Sequence, residues 1–137
     1  PAAAARFVPL FTGHATPEAG LAAAAAALAD LPAPFAAVVL GMGDDGHTAS
    51  FFPGADNLAE ITDPAAPARL AAVRAPAAGE PRITFTLPPL LAADALFLHI
   101  EGPRKRAVLE TAARGEDLPI CAILRHARRP LDVLWCP

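Results

Sequence analysis

Apolar residues in this chain fall in short continuous runs separated by Pro-, Gly- and Asp-bearing connections, a spacing that predicts strands alternating with helices. Thr16-Pro17-Glu18 opens a helix reaching Asp30: Thr16 suits the N-cap, Pro17 the first helical position and Glu18 the positive end of the helix dipole, ahead of an alanine-rich stretch. Leu21 and Leu28 share one face of it, and Pro32 and Pro34 stop it. The unbroken apolar run 35–40 then reads as a strand of a parallel sheet, buried on both faces. A glycine-rich turn follows, with a short helix from about Thr48. Residues 56–68, carrying Asp, Asn and Pro, read as a surface connection.

Further along, 70–74 and 82–86 are predicted strands flanking a turn at 76–81, and Pro88-Pro89 starts a helix through Ala93. Residues 95–100 form a strand, Gly102-Pro103 a turn, and 103–113 a helix ended by Gly115. A short helix over 118–125 and a closing strand over 131–135 complete the order. This alternation implies a single α/β domain over 1–137, built as a βαβ-type layered sheet. No internal repeat is present.

Composition narrows the function. A formal net charge of −3 and a pI near 5.7 supply no overall positive field to recruit nucleic acid or acidic lipid, so any anionic ligand must be held locally. There is no apolar run of about 18 residues to span a bilayer, nor a charged segment leading into an apolar signal core. The expectation is a soluble, cytoplasmic protein with no membrane partner. Cys121 and Cys136 belong to no C-x-x-C motif and are expected to be buried, reduced thiols.

The candidate chemistry gathers in Gly41-Met42-Gly43-Asp44-Asp45-Gly46-His47-Thr48-Ala49-Ser50-Phe51-Phe52-Pro53-Gly54, at the end of the first strand, where open α/β sheets bind ligands. Glycines here permit positive φ and bring backbone N–H groups close to an anion. Asp45 and His47, two apart, can meet only across a turn. One reading is an imidazole oriented by a carboxylate beside an anion site; the other is a polar turn with a solvated histidine. Ser50, the sole serine, lies in no nucleophile elbow, and tyrosine is absent, so water activated by a base is the natural attacking group.

His47 is the best candidate for that base, while His14, His99 and His126 read as structural or solvated. Asp44, Asp45 and His47 are too crowded to cage a metal, and none is expected. Lys105 is the only lysine among eleven basic residues and sits in a helical first turn, where a point charge suits a phosphate oxygen; one solvated side chain is the alternative. Arg82 opens a strand and could hold phosphate or carboxylate, or form an exposed ion pair.

The loop closely resembles the signature of the 6-phosphogluconolactonases, GMGPDGHTASLFPG, with Asp44 and Phe51 in place of Pro and Leu. The resemblance runs from about Phe7 to the end, through Pro81-Arg82-Ile83-Thr84-Phe85-Thr86-Leu87-Pro88, Gly102-Pro103-Arg104-Lys105, Leu118-Pro119 and Val133-Leu134-Trp135. It implies a Rossmann-like layered, mostly parallel sheet flanked by helices, and hydrolysis of 6-phospho-D-glucono-1,5-lactone without a cofactor. It further implies His47 as base, Asp45 as its support, and Arg82, Lys105, Gly43 and Gly46 as substrate or phosphate contacts. The related glucosamine-6-phosphate deaminases have a similar loop, GxDGHIAFNEPG, with a carboxylate where Phe52 stands. An upstream Gly-rich TGG-type segment and an Asp-Glu-Arg-bearing strand of the family are not found here. The resemblance therefore implies the C-terminal portion of a longer, here incomplete, lactonase domain, with a non-catalytic sugar-phosphate-binding fragment as an alternative. A dinucleotide-binding domain is disfavoured because G-x-G-x-x-G is missing.

Overall fold

The structure, a computed structural model, describes residues 4–137. Helix α1 (Pro17–Ala27) starts as its local signals dictate: the Thr16 side chain accepts a hydrogen bond from the Ala19 N–H at 3.3 Å. Strands β1 (Ala37–Gly41), β4 (Ala95–Glu101) and β5 (Leu131–Cys136) form a parallel sheet in the order β1-β4-β5, with Leu40 opposite Leu98 and Leu98 opposite Val133. Between β1 and β4 come α2 (Leu58–Ile61), β2 (Leu70–Val73), β3 (Arg82–Phe85) and α3 (Leu87–Leu91); α4 (Gly102–Ala113) and α5 (Cys121–His126) lie between β4 and β5.

One face of the parallel sheet, bearing Leu40, Leu96, Leu98 and Ile100, packs into a core with Phe51, Leu87, Ile120 and Ile123. Alternate residues face the other way, and two apolar ones among them, Val39 and Leu134, are 68% and 53% exposed. A smaller cluster joins α1, through Ala24 and Leu28, to Leu70 of β2.

Four local expectations are corrected. Strands β2 and β3 belong to a separate antiparallel ribbon rather than to the parallel sheet, because the short connection through the 3-10 turn Pro76–Ala78 cannot make a parallel crossover. The predicted helix from Thr48 is replaced by a tight reversal: Thr48 bridges Phe51, Ala49 adopts φ 49°, and the Thr48 hydroxyl donates to the Gly41 carbonyl at 2.8 Å. With this reversal both Phe51 (0% exposed) and Phe52 (4%) are buried. Within 56–68, Leu58 and Ile61 share a face at i and i+3 and form α2, burying Ile61 completely. Of the two free cysteines Cys121 is buried as expected, but Cys136 is exposed because β5 is an outer strand of its sheet.

The first turn of α1 is tied to the end of β2 by a two-pronged pair in which Arg74 Nη1 meets Glu18 Oε1 and Nη2 donates to Oε2 at 2.8 Å. This guanidinium holds the Glu18 carboxyl at about 2, against an ordinary value of 4.5. A carboxyl lowered by folding stabilises the fold above its unfolded value, and that stabilisation is lost as pH falls through the folded one. Thermal melts of Glu18→Gln are therefore expected to fall below wild type at pH 4.5 and above, and to converge with it as pH drops to about 2. A difference that stays constant with pH would show that the pair is not its source.

Candidate active site

The glycine loop leaves β1 at Gly41, beside the end of β4, where α4 begins at Gly102. Both segments thus emerge from the carboxyl ends of adjacent parallel strands, where open α/β sheets place ligands. The loop is closed internally: Gly43 N–H donates to the His47 carbonyl at 2.9 Å and Gly46 N–H to the Gly43 carbonyl at 3.0 Å. Gly46 has φ +77°, and a Cβ on it would lie 2.9 Å from Leu118 Cβ. Its carbonyl accepts from Ile120 N–H at 2.9 Å, which docks the segment before α5 against the loop.

This closed turn brings the two chemical groups together. Asp45 Oδ1 accepts from the His47 amide at 3.1 Å and stands 2.6 Å from His47 Nδ1. With Nδ1–H donating to the carboxylate, a neutral ring carries its free lone pair on Nε2, the atom available as a base. Burial pushes the Asp45 carboxyl up, but hydrogen bonds from the His47 amide and ring and the charge of the imidazolium outweigh it, leaving the carboxyl below its ordinary 3.8. Asp45 is therefore ionised at neutral pH. The imidazole lies against Gly43, where a Cβ would be 2.3 Å from ring atoms.

The Phe52 ring centroid is 4.3 Å from that of His47, and the Arg82 guanidinium carbon is 5.5 Å from the same Phe52 ring. Arg82 consequently lies no further from the imidazole than those two distances together. Arg82 also donates to the Ala78 carbonyl at 3.0 Å and lines a cavity of about 510 Å³ with Thr12, His14 and Ser50. His47 does not line that cavity; Phe52 joins it to Arg82.

Lys105 stands in the first turn of α4 at the same strand-end edge. Its neighbour Arg104 pairs with Asp44 of the loop at 3.3 Å, but among the described residues no contact joins Lys105 to Arg82 or His47. Gly43 and Gly46 use their N–H groups inside the loop, so their place in the site is to shape it rather than to present those donors to an anion. Two participants escaped the sequence reading. Phe52 counted there only as a missing carboxylate, and Asp44 had no role; opposite charges at the ends of adjacent strands were the one available sign of the Asp44–Arg104 pair. Among the described residues no cluster of three or more His, Cys, Asp or Glu side chains is placed to hold a metal ion, and no helix is long and apolar enough to cross a membrane.

The sequence matches the family described as glucosamine-6-phosphate isomerases/6-phosphogluconolactonase over residues 1–135. It is 51% identical to a 6-phosphogluconolactonase of Rhizobium meliloti, aligned over 99% of this chain and 60% of that protein, and 51% identical to one of Mesorhizobium japonicum, over 99% and 58%. The crystal structure of a 6-phosphogluconolactonase from Shewanella baltica superposes with a TM-score of 0.82 at 36% identity, covering 92% of this chain and 55% of that one. The chain thus spans somewhat over half the length of the relatives it matches. With the loop, the sheet and nearly every residue of the chain falling within the match, this chain belongs to the glucosamine-6-phosphate isomerase/6-phosphogluconolactonase family.

Proposed function

We propose that this chain carries the catalytic base and phosphate contacts of a lactonase that hydrolyses 6-phospho-D-glucono-1,5-lactone to 6-phospho-D-gluconate, in the oxidative pentose phosphate pathway. The carrying observation is the 2.6 Å contact between Asp45 and His47 Nδ1, which leaves Nε2 as the free base atom on a turn at the sheet's carboxyl edge. Names of the relatives supply the substrate. In this reading His47 Nε2 takes a proton from water as the water oxygen bonds to the lactone carbonyl carbon, and Asp45 supports the imidazolium that forms. The carbonyl electrons move onto oxygen, where loop N–H groups other than those of Gly43 and Gly46 stabilise the charge. Collapse breaks the bond from C1 to the ring oxygen, and His47 returns its proton to that departing oxygen. A lactone is an activated acyl group, so no cofactor and no covalent intermediate are required.

Arg82 and Lys105 hold the phosphate, fixing C1 against the base. A charge-assisted bond to phosphate contributes about 1.5–3 kcal/mol, so Arg82→Gln and Lys105→Ala should each raise KM by about ten- to a hundredfold with a smaller change in kcat. A charged sugar phosphate does not leak across a bilayer, so a cytoplasmic enzyme, as this reading has it, would work where substrate and product are both retained.

The test is lactone opening by the 137-residue chain, followed as acid release against the spontaneous rate, with the Rhizobium meliloti relative as positive control. Acceleration by the chain, with no ammonia released from glucosamine 6-phosphate, is the expected result. Ammonia release would favour the deaminase chemistry of the family's other branch. Spontaneous rates with the chain, beside an active relative, would leave a sugar-phosphate-binding fragment.

A further inference from the structure

We propose that Phe52 is a positioning residue whose single ring holds the His47 base and the Arg82 anion contact in one arrangement, coupling occupancy of the phosphate site to the imidazole. The ring is 4% exposed, tilted 31° to the imidazole at 4.3 Å, and within cation–π reach of Arg82 at 5.5 Å. The Gly43 backbone, the Asp45 carboxylate and this ring lie against the imidazole, and through Phe52 the loop reaches Arg82 at the start of β3. The reversal at Ala49 turns Phe52 inward, and β3 supplies Arg82 from thirty residues further along the chain.

The chemistry of the ring matters as much as its place. Among the described residues Arg82 forms no ion pair, its one hydrogen bond going to the Ala78 carbonyl. A carboxylate at position 52 would pair with that guanidinium and compete with Asp45 for the imidazole. An aromatic ring orients both while neutralising neither, leaving the Arg82 charge for a phosphate. The coupling rests on the lactonase reading only for the identity of the reaction; it exists in anion binding alone.

The test follows the His47 Cε1–H resonance by NMR while inorganic phosphate, and separately 6-phosphogluconate, is titrated into wild type, Phe52→Leu, Phe52→Tyr and Arg82→Gln. Phosphate is expected to displace the resonance in wild type and in Phe52→Tyr. In Phe52→Leu the displacement is expected to be lost and phosphate to bind about two- to fivefold more weakly. Turnover should show kcat reduced in Phe52→Leu and restored in Phe52→Tyr. Arg82 is exposed, so Arg82→Gln keeps the test alive if Phe52→Leu does not fold, and its His47 resonance should no longer respond. An unaltered response in Phe52→Leu or Arg82→Gln, or none in wild type, overturns the proposal. A normal pattern of responses without lactone turnover supports the coupling and removes the lactonase assignment instead.

Discussion

His47→Ala is expected to bring lactone opening by the protein down to the spontaneous rate, a loss on the order of 10²–10⁴ in kcat, with affinity for 6-phosphogluconate almost unchanged. The separation follows from where the atoms are. His47 makes one side-chain hydrogen bond, to Asp45, and its ring touches Phe52; its remaining hydrogen bonds, the amide to Asp45 and the carbonyl from Gly43, belong to the backbone and survive truncation. The loop therefore keeps its closure, while the Nε2 lone pair assigned to take a proton from water is gone. The phosphate contacts assigned to Arg82 and Lys105 lie on β3 and α4 and lose no covalent or hydrogen-bonded support. Progress curves of acid release, with product affinity from isothermal titration, decide the matter: unchanged turnover removes His47 from the mechanism, and a matching loss of affinity makes it a binding residue instead.

What the sequence disclosed depended on how local each cause is. Helix α1 was legible because Thr16, Pro17 and Glu18 act within one turn, and β1 and β4 because each is a short, mostly apolar run bounded by turn signals; the burial of β1 on both faces is not met, since β1 is an outer strand and Val39 is exposed. Asp45 and His47 were legible as partners because one turn contains both. The course of the loop beyond Thr48 was not. Thr48 looks like a helix cap, yet its hydroxyl is committed to the Gly41 carbonyl, and of two adjacent phenylalanines Phe51 enters the core that the rest of the chain assembles while Phe52 is buried against His47 and Arg82. The pairing of β2 with β3 was signalled only by the short connection between them, too short for a parallel crossover, since their apolar pattern fits either sheet direction. The relation of Arg82 to His47 was legible only through the family resemblance, because it passes through a third side chain whose inward turn is a tertiary outcome.

The two loop glycines, indistinguishable in the sequence, should fail in opposite ways when given a methyl group. At Gly43 a Cβ would fall 2.3 Å from Cε1 and Nδ1 of His47 and 2.7 Å from Asp45 Oδ1, contacts no real Cβ makes. Gly43 is not among the residues with positive φ, so alanine can adopt its backbone; what must give way is the imidazole, which is partly exposed and free to swing outward. Gly43→Ala is therefore expected to retain the wild-type melting temperature within a few degrees while kcat/KM falls by about a hundredfold or more, because the 2.6 Å Asp45 contact cannot persist with the ring displaced.

At Gly46 the methyl group meets Leu118 Cβ, which lies on a segment bonded back to the loop through Ile120, and φ +77° adds its own strain of about 1–2 kcal/mol. Overpacking contributes about 1–3 kcal/mol more, so Gly46→Ala should lower the melting temperature by several degrees. Circular-dichroism melts alongside kcat/KM for both variants separate the cases. A Gly43→Ala protein with full activity would mean that the imidazole works from some other position than the one held between Asp45 and Phe52, and the base assignment would have to move with it.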